Sequence, residues 1–558
     1  MPSDVENAVV APRHGRDGSG KSEAPLWLSF ATWRATLLLV LAVLAVRLVY
    51  LIWWCPWELV QDEAHYWDWS RHLSLSYYSK GPGVALVIWA TTALLGAEEW
   101  AIRVPAALAS AAAALALARL ASDGAGGDER AGFLAAAAFC LVPIFQVEAQ
   151  VMTVDGPFVA CWIVACWIGW HAFAAHRFGG APWGLWALAG LVMGVGFLFK
   201  YTMVMLPVGF VLYAFLRRRR LPWDRRLTAG AALVGAVFVA TISPVIIWNA
   251  QHGWPTVRHT LGHLGAPGGD RPTQWTRPFA GFSLFELIGA EIGVLGPPIF
   301  LLVVLATLWA FQSRWQRPRQ WPARLYMLAC GLPVIALFVL VSLVSRVEAN
   351  WPIAGFTTLL VLVAWGLPAA RDDWRRRLGQ WGHKASVGLP GLRRPHSPWI
   401  IAWRWAIGWG IVTAAIVAFP TTAARLPLVG RQVPIERISG AEQMAERVAA
   451  AAELVRARTG REPLIVSGSC GRASQLAYYL PGRPTVYDAG GYIGRRPSAY
   501  DYFDETDLED PALHGRPAVM VVWPLERWLQ GFRFEHARSL GGDPPIHIGF
   551  GYGGPRRE

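Results

Sequence analysis

Charged side chains are scarce in this sequence of 558 residues. Asp, Glu, Lys and Arg make up 16% of the chain, against about 25% in soluble globular proteins, and hydrophobic residues make up 54%. Cysteine is also rare: most of the 6 cysteines lie in apolar runs, and their spacing fits neither a disulfide framework nor a zinc site. No internal repeat is visible. These deficits exclude a small disulfide-stabilised secreted protein and indicate an integral membrane protein.

Eleven apolar segments approach the roughly 20 helical residues that are needed to cross a bilayer. They cover residues 33–54, 102–120, 131–146, 158–173, 183–199, 202–216, 227–248, 284–309, 325–345, 352–367 and 399–419. A further run, Val84–Gly96, is too short to cross and is predicted to lie along the membrane interface. Lys and Arg are about threefold more frequent in one set of alternate loops, which places the N-terminus in the cytoplasm and the C-terminus outside it.

The two ends of the chain differ from this apolar part. The first residues are polar and lack the apolar core and cleavage site of a signal peptide, so they are interpreted as a disordered cytoplasmic tail. Near the C-terminus, Glu442–Arg458 has the spacing of an amphipathic helix, and Pro463–Ser467 and Ala518–Trp523 are typical of buried strands. The sequence therefore predicts a tail (1–32), a transmembrane domain (33–420) and a small α/β domain outside the cytoplasm (421–558).

Charged residues cluster in the loops that this topology places outside the cytoplasm. Asp62 and Glu63 follow the first span, Asp155 lies between the third and fourth spans, and Lys200 lies in the short turn between the fifth and sixth. An ionisable group at membrane depth is costly and usually has a partner or a function. The further polar candidates in or beside these loops are Lys80, His65, Tyr66, Asn249, Glu348 and Asn350.

Carboxylates and lysines on one face suggest a charged substrate at the membrane surface. Lys suits phosphate as a compact point charge, and a desolvated carboxylate suits the activation of a hydroxyl or amine nucleophile. Together they describe group transfer from a lipid phosphate. The simpler interpretations are a solvated helix start for Asp62 and Glu63, and a side chain that reaches the lipid headgroups for Lys200.

Several short motifs, taken in order, resemble a known family. They are Asp62-Glu63-Ala64-His65-Tyr66-Trp67, Tyr77-Tyr78-Ser79-Lys80-Gly81-Pro82, Arg103-Val104-Pro105, Asp155-Gly156-Pro157, Phe199-Lys200-Tyr201, Trp248-Asn249 and Glu348-Ala349-Asn350-Trp351-Pro352. Together they resemble the family 39-type glycosyltransferases, which include protein O-mannosyltransferases and the lipid A aminoarabinose transferase. The resemblance covers most of residues 33–420 and implies a polytopic helical membrane protein with the GT-C fold.

The resemblance also implies a reaction. The donor is a polyprenyl-phosphate monosaccharide, and a protein, lipid or glycan acceptor outside the cytoplasm attacks the sugar with inversion. Asp62 is then the general base, Glu63 supports it, Asp155 is a second acid near donor or acceptor, and Lys80, with Lys200, pairs with the donor phosphate. The chain departs from the family pattern at Gly81, where a proline is more usual, and this departure predicts a looser loop around Lys80. The location implied is the bacterial inner membrane, and no nucleic acid is involved.

Alternatives from other classes stay open at this stage. A divalent metal is possible because Asp62, Glu63 and His65 are close in sequence, although no second ligand cluster is evident. A transporter or flippase of a lipid-linked sugar would also have about eleven spans, but it would more often show matched halves and charges at mid-membrane. A catalytically inactive scaffold of glycan assembly is a third interpretation.

Overall fold

The computed structural model describes residues 31–270, 281–315, 317–368, 398–427, 430, 433–494 and 496–556. Most of the predicted cytoplasmic tail, residues 1–32, lies outside these ranges, as does the basic segment 371–394 that contributes to the predicted orientation.

Up to residue 423, all of the regular secondary structure in the described ranges is helical. Its helices are α1 (Trp33–Trp53), α2 (Gln61–Arg71), α3 (Gly83–Leu95), α4 (Glu99–Gly124), α5 (Glu129–Leu141), α6 (Pro143–Glu148), α7 (Asp155–Arg177), α8 (Trp183–Phe199), α9 (Met205–Leu216), α10 (Arg225–Gln251), α11 (Pro255–His263), α12 (Gly281–Leu295), α13 (Pro297–Gln312), α14 (Trp321–Val341), α15 (Ile353–Pro368), α16 (Pro398–Ala418) and α17 (Pro420–Ala423).

Six of the described helices are long and apolar enough to cross a membrane: α1, α4, α7, α10, α14 and α16. A seventh crossing results if α12 and α13, which meet at an angle of 107°, form one broken span. Four more apolar helices, α3, α8, α9 and α15, are shorter. Each of the eleven predicted segments contains a helix, but length and composition support six or seven crossings, so the count of eleven stays a prediction. The side of the membrane on which each terminus lies also stays a prediction.

The start of α7 lies beside the start of α4: the two helices pack against each other, and Glu63 accepts hydrogen bonds both from Arg103 and from the Met152 backbone N–H. Alanines make up much of α4, and its side chains are buried along most of its length. Small side chains let neighbouring helices approach closely where the bilayer gives no hydrophobic drive for association. This packing brings the segment that precedes Asp155 against the helix that carries Arg103.

The C-terminal residues form an α/β unit that contains a five-stranded sheet. Its elements are α18 (Ile435–Ile438), α19 (Ala441–Thr459), β1 (Leu464–Ser467), α20 (Cys470–Tyr479), β2 (Tyr487–Asp488), β3 (Ala518–Val521), α21 (Leu525–Gly531), β4 (His536–Gly541) and β5 (Ile546–Phe550). The strand order is β2-β1-β3-β5-β4, with β1 parallel to β2 and β3, and with β5 antiparallel to β3 and β4. The predicted amphipathic helix and both predicted strands are present, because their apolar positions are the buried ones.

Hydrogen bonds attach this unit to the loops at one end of the helical bundle. The Tyr479 hydroxyl accepts a bond from the Leu59 backbone N–H at 2.7 Å and donates to the Glu99 carboxylate. The Gln475 side chain donates to the Leu59 carbonyl at 2.8 Å. At the start of α19, the Glu58 carboxylate accepts from the first backbone N–H groups, as an N-terminal capping acid does. The unit is therefore fixed against the loop that carries α2.

Candidate active site

Glu63 anchors the first turn of α2 through a buried ion pair. Its carboxylate accepts from Arg103 Nε at 2.9 Å and Nη2 at 2.8 Å, and both side chains are almost fully buried. It also accepts from the Met152 backbone N–H at 2.8 Å, while Arg103 donates to the carbonyls of Trp57 and Glu58. Because these bonds occupy both carboxylate oxygens, Glu63 fixes the position of α2 relative to α4 and to the segment before α7.

Asp62, the neighbouring residue, is exposed instead. Successive residues of a helix point about 100° apart, so the two acids cannot share one face. Desolvation by the surrounding groups raises the pKa of Asp62, an effect that Lys80 opposes and the Asp155 charge reinforces. The cation of Arg437, in α18, also lowers the pKa of Asp62. The phenol of Tyr66 has its pKa raised by burial and then by the charges of Asp62 and Asp155, which places it in the same cluster.

Asp155, at the first position of α7, is held by two partners that come from distant loops. Lys200 Nζ donates to its Oδ1 at 2.5 Å, and Asn350 Nδ2 donates to its Oδ2 at 2.8 Å. The Lys200 ammonium also donates to the Asn350 carbonyl at 2.9 Å and lies over the Phe158 ring at 5.7 Å. Lys200 is thus a buried, paired cation rather than one that reaches the lipid headgroups.

Lys80 lies close to both acids, on the loop between α2 and α3. Burial, and then the charge of Lys200, lower its pKa to about 8, and the charges of Asp155 and Asp62 act in the opposite direction. Within the described part of the chain, no hydrogen bond or ion pair engages its ammonium group. The Lys80 ammonium is therefore surrounded by protein groups but is available to bind an anion.

Gly81 explains how Lys80 reaches this position. A side chain at Gly81 would clash with the carbonyl oxygen of Leu198, which lies at the end of α8 two residues before Lys200. The glycine therefore packs the loop directly against the backbone of α8, and the expectation of a looser loop is wrong. Tyr77 N–H donates to the Lys80 carbonyl at 3.0 Å and closes the turn. The close approach brings Lys80 beside Lys200 and so beside Asp155.

His65 faces the α/β unit. Its Nδ1 is 3.0 Å from Ser474 Oγ, which is 2.7 Å from the Tyr500 hydroxyl. That hydroxyl donates to Asp68 Oδ2 at 2.6 Å, and Arg71 donates to the other Asp68 oxygen at 3.2 Å. This chain of hydrogen bonds connects two turns of α2 to α20 and to the 499–502 turn. Burial lowers the pKa of His65 to about 4, so the imidazole is neutral at pH 7.

Two of the predicted pocket residues have structural contacts elsewhere. Asn249 donates to the Val245 carbonyl at 2.9 Å and accepts from the Thr256 N–H at 3.2 Å, which fixes the turn between α10 and α11. Glu348 pairs with Arg346 at 3.5 Å on an exposed surface. The structure thus brings Asp62, Tyr66, Lys80, Asp155, Lys200 and Asn350 into one charged cluster, connects Glu63 and His65 to its scaffold, and gives Asn249 and Glu348 partners outside it.

Three charged residues of the cluster were missed by sequence reasoning. Glu148, at the end of α6, is buried, and neither of its carboxylate oxygens has a hydrogen-bond partner among the described residues. Burial and the Asp155 charge raise its pKa well above the usual range. Glu148 could have been recognised from the sequence, because it lies only two residues beyond the predicted span 131–146. Arg437 and Arg496, which also acts on the pKa of Lys80, come from the C-terminal part of the chain and gave no such signal.

The suggested metal ligands do not point at one place. The Glu63 side chain bonds Arg103, and the His65 side chain bonds Ser474. In the described ranges no group of three His, Cys, Asp or Glu side chains has an arrangement that could hold a metal ion. The metal suggestion therefore gains no support from the placement of these residues.

Fold and site together define a polytopic membrane protein with a cluster of carboxylates and cations at one end of its helices. Residues 79–248 match the family described as dolichyl-phosphate-mannose-protein mannosyltransferase. The lipid A galacturonosyltransferase RgtD of Rhizobium johnstonii is 30% identical over 339 residues, which are 60% of this chain and 65% of that protein, slightly under two thirds of its length.

Solved structures show the same architecture. ArnT from Cupriavidus metallidurans in the apo state has a TM-score of 0.59 at 17% identity, with 92% of this chain and 98% of that chain covered. The same protein bound to undecaprenyl phosphate has a TM-score of 0.56 at 18% identity, with 93% and 98% covered. The resemblance to the family 39-type glycosyltransferases is confirmed, and the chain has their GT-C fold.

Proposed function

We propose that the chain is a glycosyltransferase that transfers a monosaccharide from a polyprenyl-phosphate donor to an acceptor outside the cytoplasm. The observation that carries this proposal is the difference between the acids. Glu63 and Asp155 are each in direct contact with a cation, whereas Asp62 is exposed, lies near Lys80 and has a raised pKa. A general base must be accessible and able to hold a proton, and Asp62 meets both conditions.

The relatives support this assignment. One is named as a transferase of galacturonic acid to lipid A, and ArnT, which shares the fold, has been solved with undecaprenyl phosphate. A polyprenyl phosphate carries its charge at the membrane surface, where the ammonium of Lys80 has no protein partner among the described residues. The apolar helices that surround the site suit the hydrocarbon chain of such a donor.

The reaction is a single displacement at the anomeric carbon. The acceptor oxygen forms a bond to that carbon, and the bond to the phosphate oxygen breaks with its electron pair remaining on the phosphate. Asp62 takes the acceptor proton as attack proceeds, and Lys80 stabilises the charge that develops on the leaving phosphate. Asp155, kept in place by Lys200 and Asn350, is positioned to stabilise positive charge on the sugar ring in the transition state. Attack opposite the phosphate inverts the anomeric configuration.

In this proposal Lys200 positions Asp155 and does not bind the donor phosphate itself. Its ammonium group donates to Asp155 and to the Asn350 carbonyl, so its main contribution is to hold Asp155 in one orientation. Donor phosphate is then bound by Lys80, with the cations of Arg437 and Arg496 adding to the positive potential around it.

The test uses the purified full chain and a synthetic polyprenyl-phosphate donor whose sugar carries a label. Transfer of label to an envelope extract that retains its lipids is measured for wild type, for Asp62→Asn and for Glu348→Gln as a control with an exposed acid. Asp62→Asn is expected to lose at least about a hundredfold in rate while donor affinity stays within a few fold. Near-normal turnover of Asp62→Asn would refute the assignment of the base. Movement of the labelled lipid across a vesicle membrane without any product would favour the flippase interpretation instead.

A further inference from the structure

A cavity lined by arginines lies at the end of α7 that is farther from Asp155. It has a volume of about 140 Å³ and is enclosed by the last turns of α7 and α9, the turn that follows α9 and the start of α14. Arg177, Arg217 and Arg220 line it. Because α7 begins with Asp155 and ends with Arg177, the two sites are about 33 Å apart along a helix with a rise of about 1.5 Å per residue. The cavity is therefore separate from the charged cluster around Asp62.

The arginines of this cavity are close enough for their charges to act on one another. None of the three arginines forms an ion pair with a carboxylate in the part of the chain that the structure describes. Partial burial lowers the pKa of Arg217. Tyr213, whose hydroxyl is hydrogen-bonded to the guanidinium, opposes this effect, and the charges of Arg177 and Arg220 add to it. Asp224, the acid of the adjoining loop, accepts hydrogen bonds from the backbone at the start of α10 and is 3.7 Å from His176. Arg177 and Arg220 are exposed and Arg217 is half-buried, so the three cations face a position that an anion from outside the protein can reach.

The walls of the cavity indicate what kind of anion fits. Trp170, Phe173 and Tyr213 supply aromatic surface inside it, and Phe178 at its rim is 83% exposed. Phe215 and Leu216, at the end of the neighbouring α9, are also exposed. Exposed aromatic and aliphatic groups beside a cationic cavity suit a molecule that has a phosphate and a hydrocarbon part.

We propose that this cavity binds the phosphate group of an anionic membrane phospholipid, with its acyl chains along the exposed apolar side chains at the end of α9. The predicted topology places this end of α7 on the cytoplasmic side, where anionic headgroups are available. The site is independent of the proposed transfer reaction, because the arginines that form it lie at the opposite end of the helix from the acids. Its occupant would connect α7, α9 and α14 and stabilise their packing.

The four consecutive arginines 217–220 provide a matched control. Arg217 and Arg220 line the cavity, whereas Arg218 and Arg219 do not. The double variants Arg217→Gln with Arg220→Gln and Arg218→Gln with Arg219→Gln remove the same charge from the same segment. Binding of phosphatidylglycerol and of phosphatidylcholine with identical acyl chains is measured by native mass spectrometry on the delipidated full chain. Each arginine beside a lipid phosphate is expected to raise the affinity about fivefold. The cavity variant, which loses two arginines, is therefore expected to bind phosphatidylglycerol roughly thirtyfold more weakly.

Three results would overturn the proposal. Equal loss in both double variants would assign binding to diffuse surface charge, and equal binding of the two lipids would remove the preference for an anionic headgroup. Competition by inorganic phosphate as effective as that by phosphatidylglycerol would show that the cavity binds free phosphate. If the cavity double variant does not fold, Arg177→Gln, on a different helix, is expected to weaken binding about fivefold, and unchanged affinity there would equally refute the site.

Discussion

The pH dependence of donor capture is expected to depend on Lys80. Burial and neighbouring cations lower the pKa of Lys80 from 10.5 to about 8. Its ammonium form is then present on about half of the free protein at pH 8 and on about a tenth at pH 9. Because a neutral amine offers no charge to a phosphate, kcat/KM for the donor is expected to fall about tenfold per pH unit above pH 8.

Substitution of Lys80 by arginine separates this effect from other titrations. A guanidinium stays charged across the whole range, so Lys80→Arg is expected to remove the decrease near pH 8, although its planar group changes the contact with phosphate and lowers the rate at pH 7. Bound donor phosphate favours the ammonium form, so the decrease in kcat at saturating donor is expected at a higher pH than the decrease in kcat/KM.

The assay is the initial rate of label transfer from roughly pH 6 to pH 10 with donor well below its KM. Arg346→Gln, which removes an exposed cation outside the cluster, serves as the control and should keep the wild-type profile. If Lys80→Arg still shows a decrease with the wild-type midpoint, the titrating group is not Lys80 and the proposed phosphate contact is wrong.

Further predictions concern stability, each measured by thermal unfolding in detergent. Arg103→Ala leaves the buried Glu63 carboxylate without its cation and should cost about 3–5 kcal/mol, whereas a loss below about 1 kcal/mol would show that this pair does not anchor α2. Tyr479→Phe removes the hydroxyl that joins the α/β unit to the α2 loop and should cost about 1–3 kcal/mol, with earlier proteolytic release of the unit. Because burial raises the pKa of Glu148, the folded protein holds a proton that the unfolded chain releases, so stability should fall as pH rises above the usual carboxyl pKa. Glu148→Gln should reduce that decline, and an identical pH dependence in both proteins would contradict it.

Local sequence patterns were sufficient for the helices, and for the strands of the α/β unit. Each of the eleven long apolar runs contains at least one helix, and the amphipathic spacing of Glu442–Arg458 predicted α19. The bend of 107° between α12 and α13 was not predicted, because Gly296 and Pro297 lie inside one continuous apolar run. Hydropathy shows how long such an apolar run is, but it carries little information about a change in the direction of the helix axis within the run.

Contacts between residues that are far apart in the sequence were harder to predict than the identity of the site residues. Lys200 and Asn350 were both proposed as pocket residues, but no pattern showed that they would bind the two oxygens of the same carboxylate. Arg437 and Arg496 act on the cluster from the C-terminal part of the chain, more than 340 residues from Lys80. Periodicity describes neighbours on one element, whereas these contacts depend on how separate elements dock.

The two adjacent acids show most clearly what local reasoning could and could not decide. Helical geometry alone requires Asp62 and Glu63 to face different directions, and the prediction that Glu63 supports Asp62 did not take this into account. Which of them is buried depends on Arg103, an ionisable side chain in the first turns of a largely buried helix, where an unpaired cation would be costly. Arg103 was recognised only as part of the motif Arg103-Val104-Pro105. A buried guanidinium needs a carboxylate within reach, but the sequence offers Glu99, one turn earlier on the same helix, as well as Asp62 and Glu63. Only the structure, in which Arg103 lies 3.9 Å from Glu99 and 2.8 Å from Glu63, assigns the closer partner and leaves Asp62 as the accessible acid.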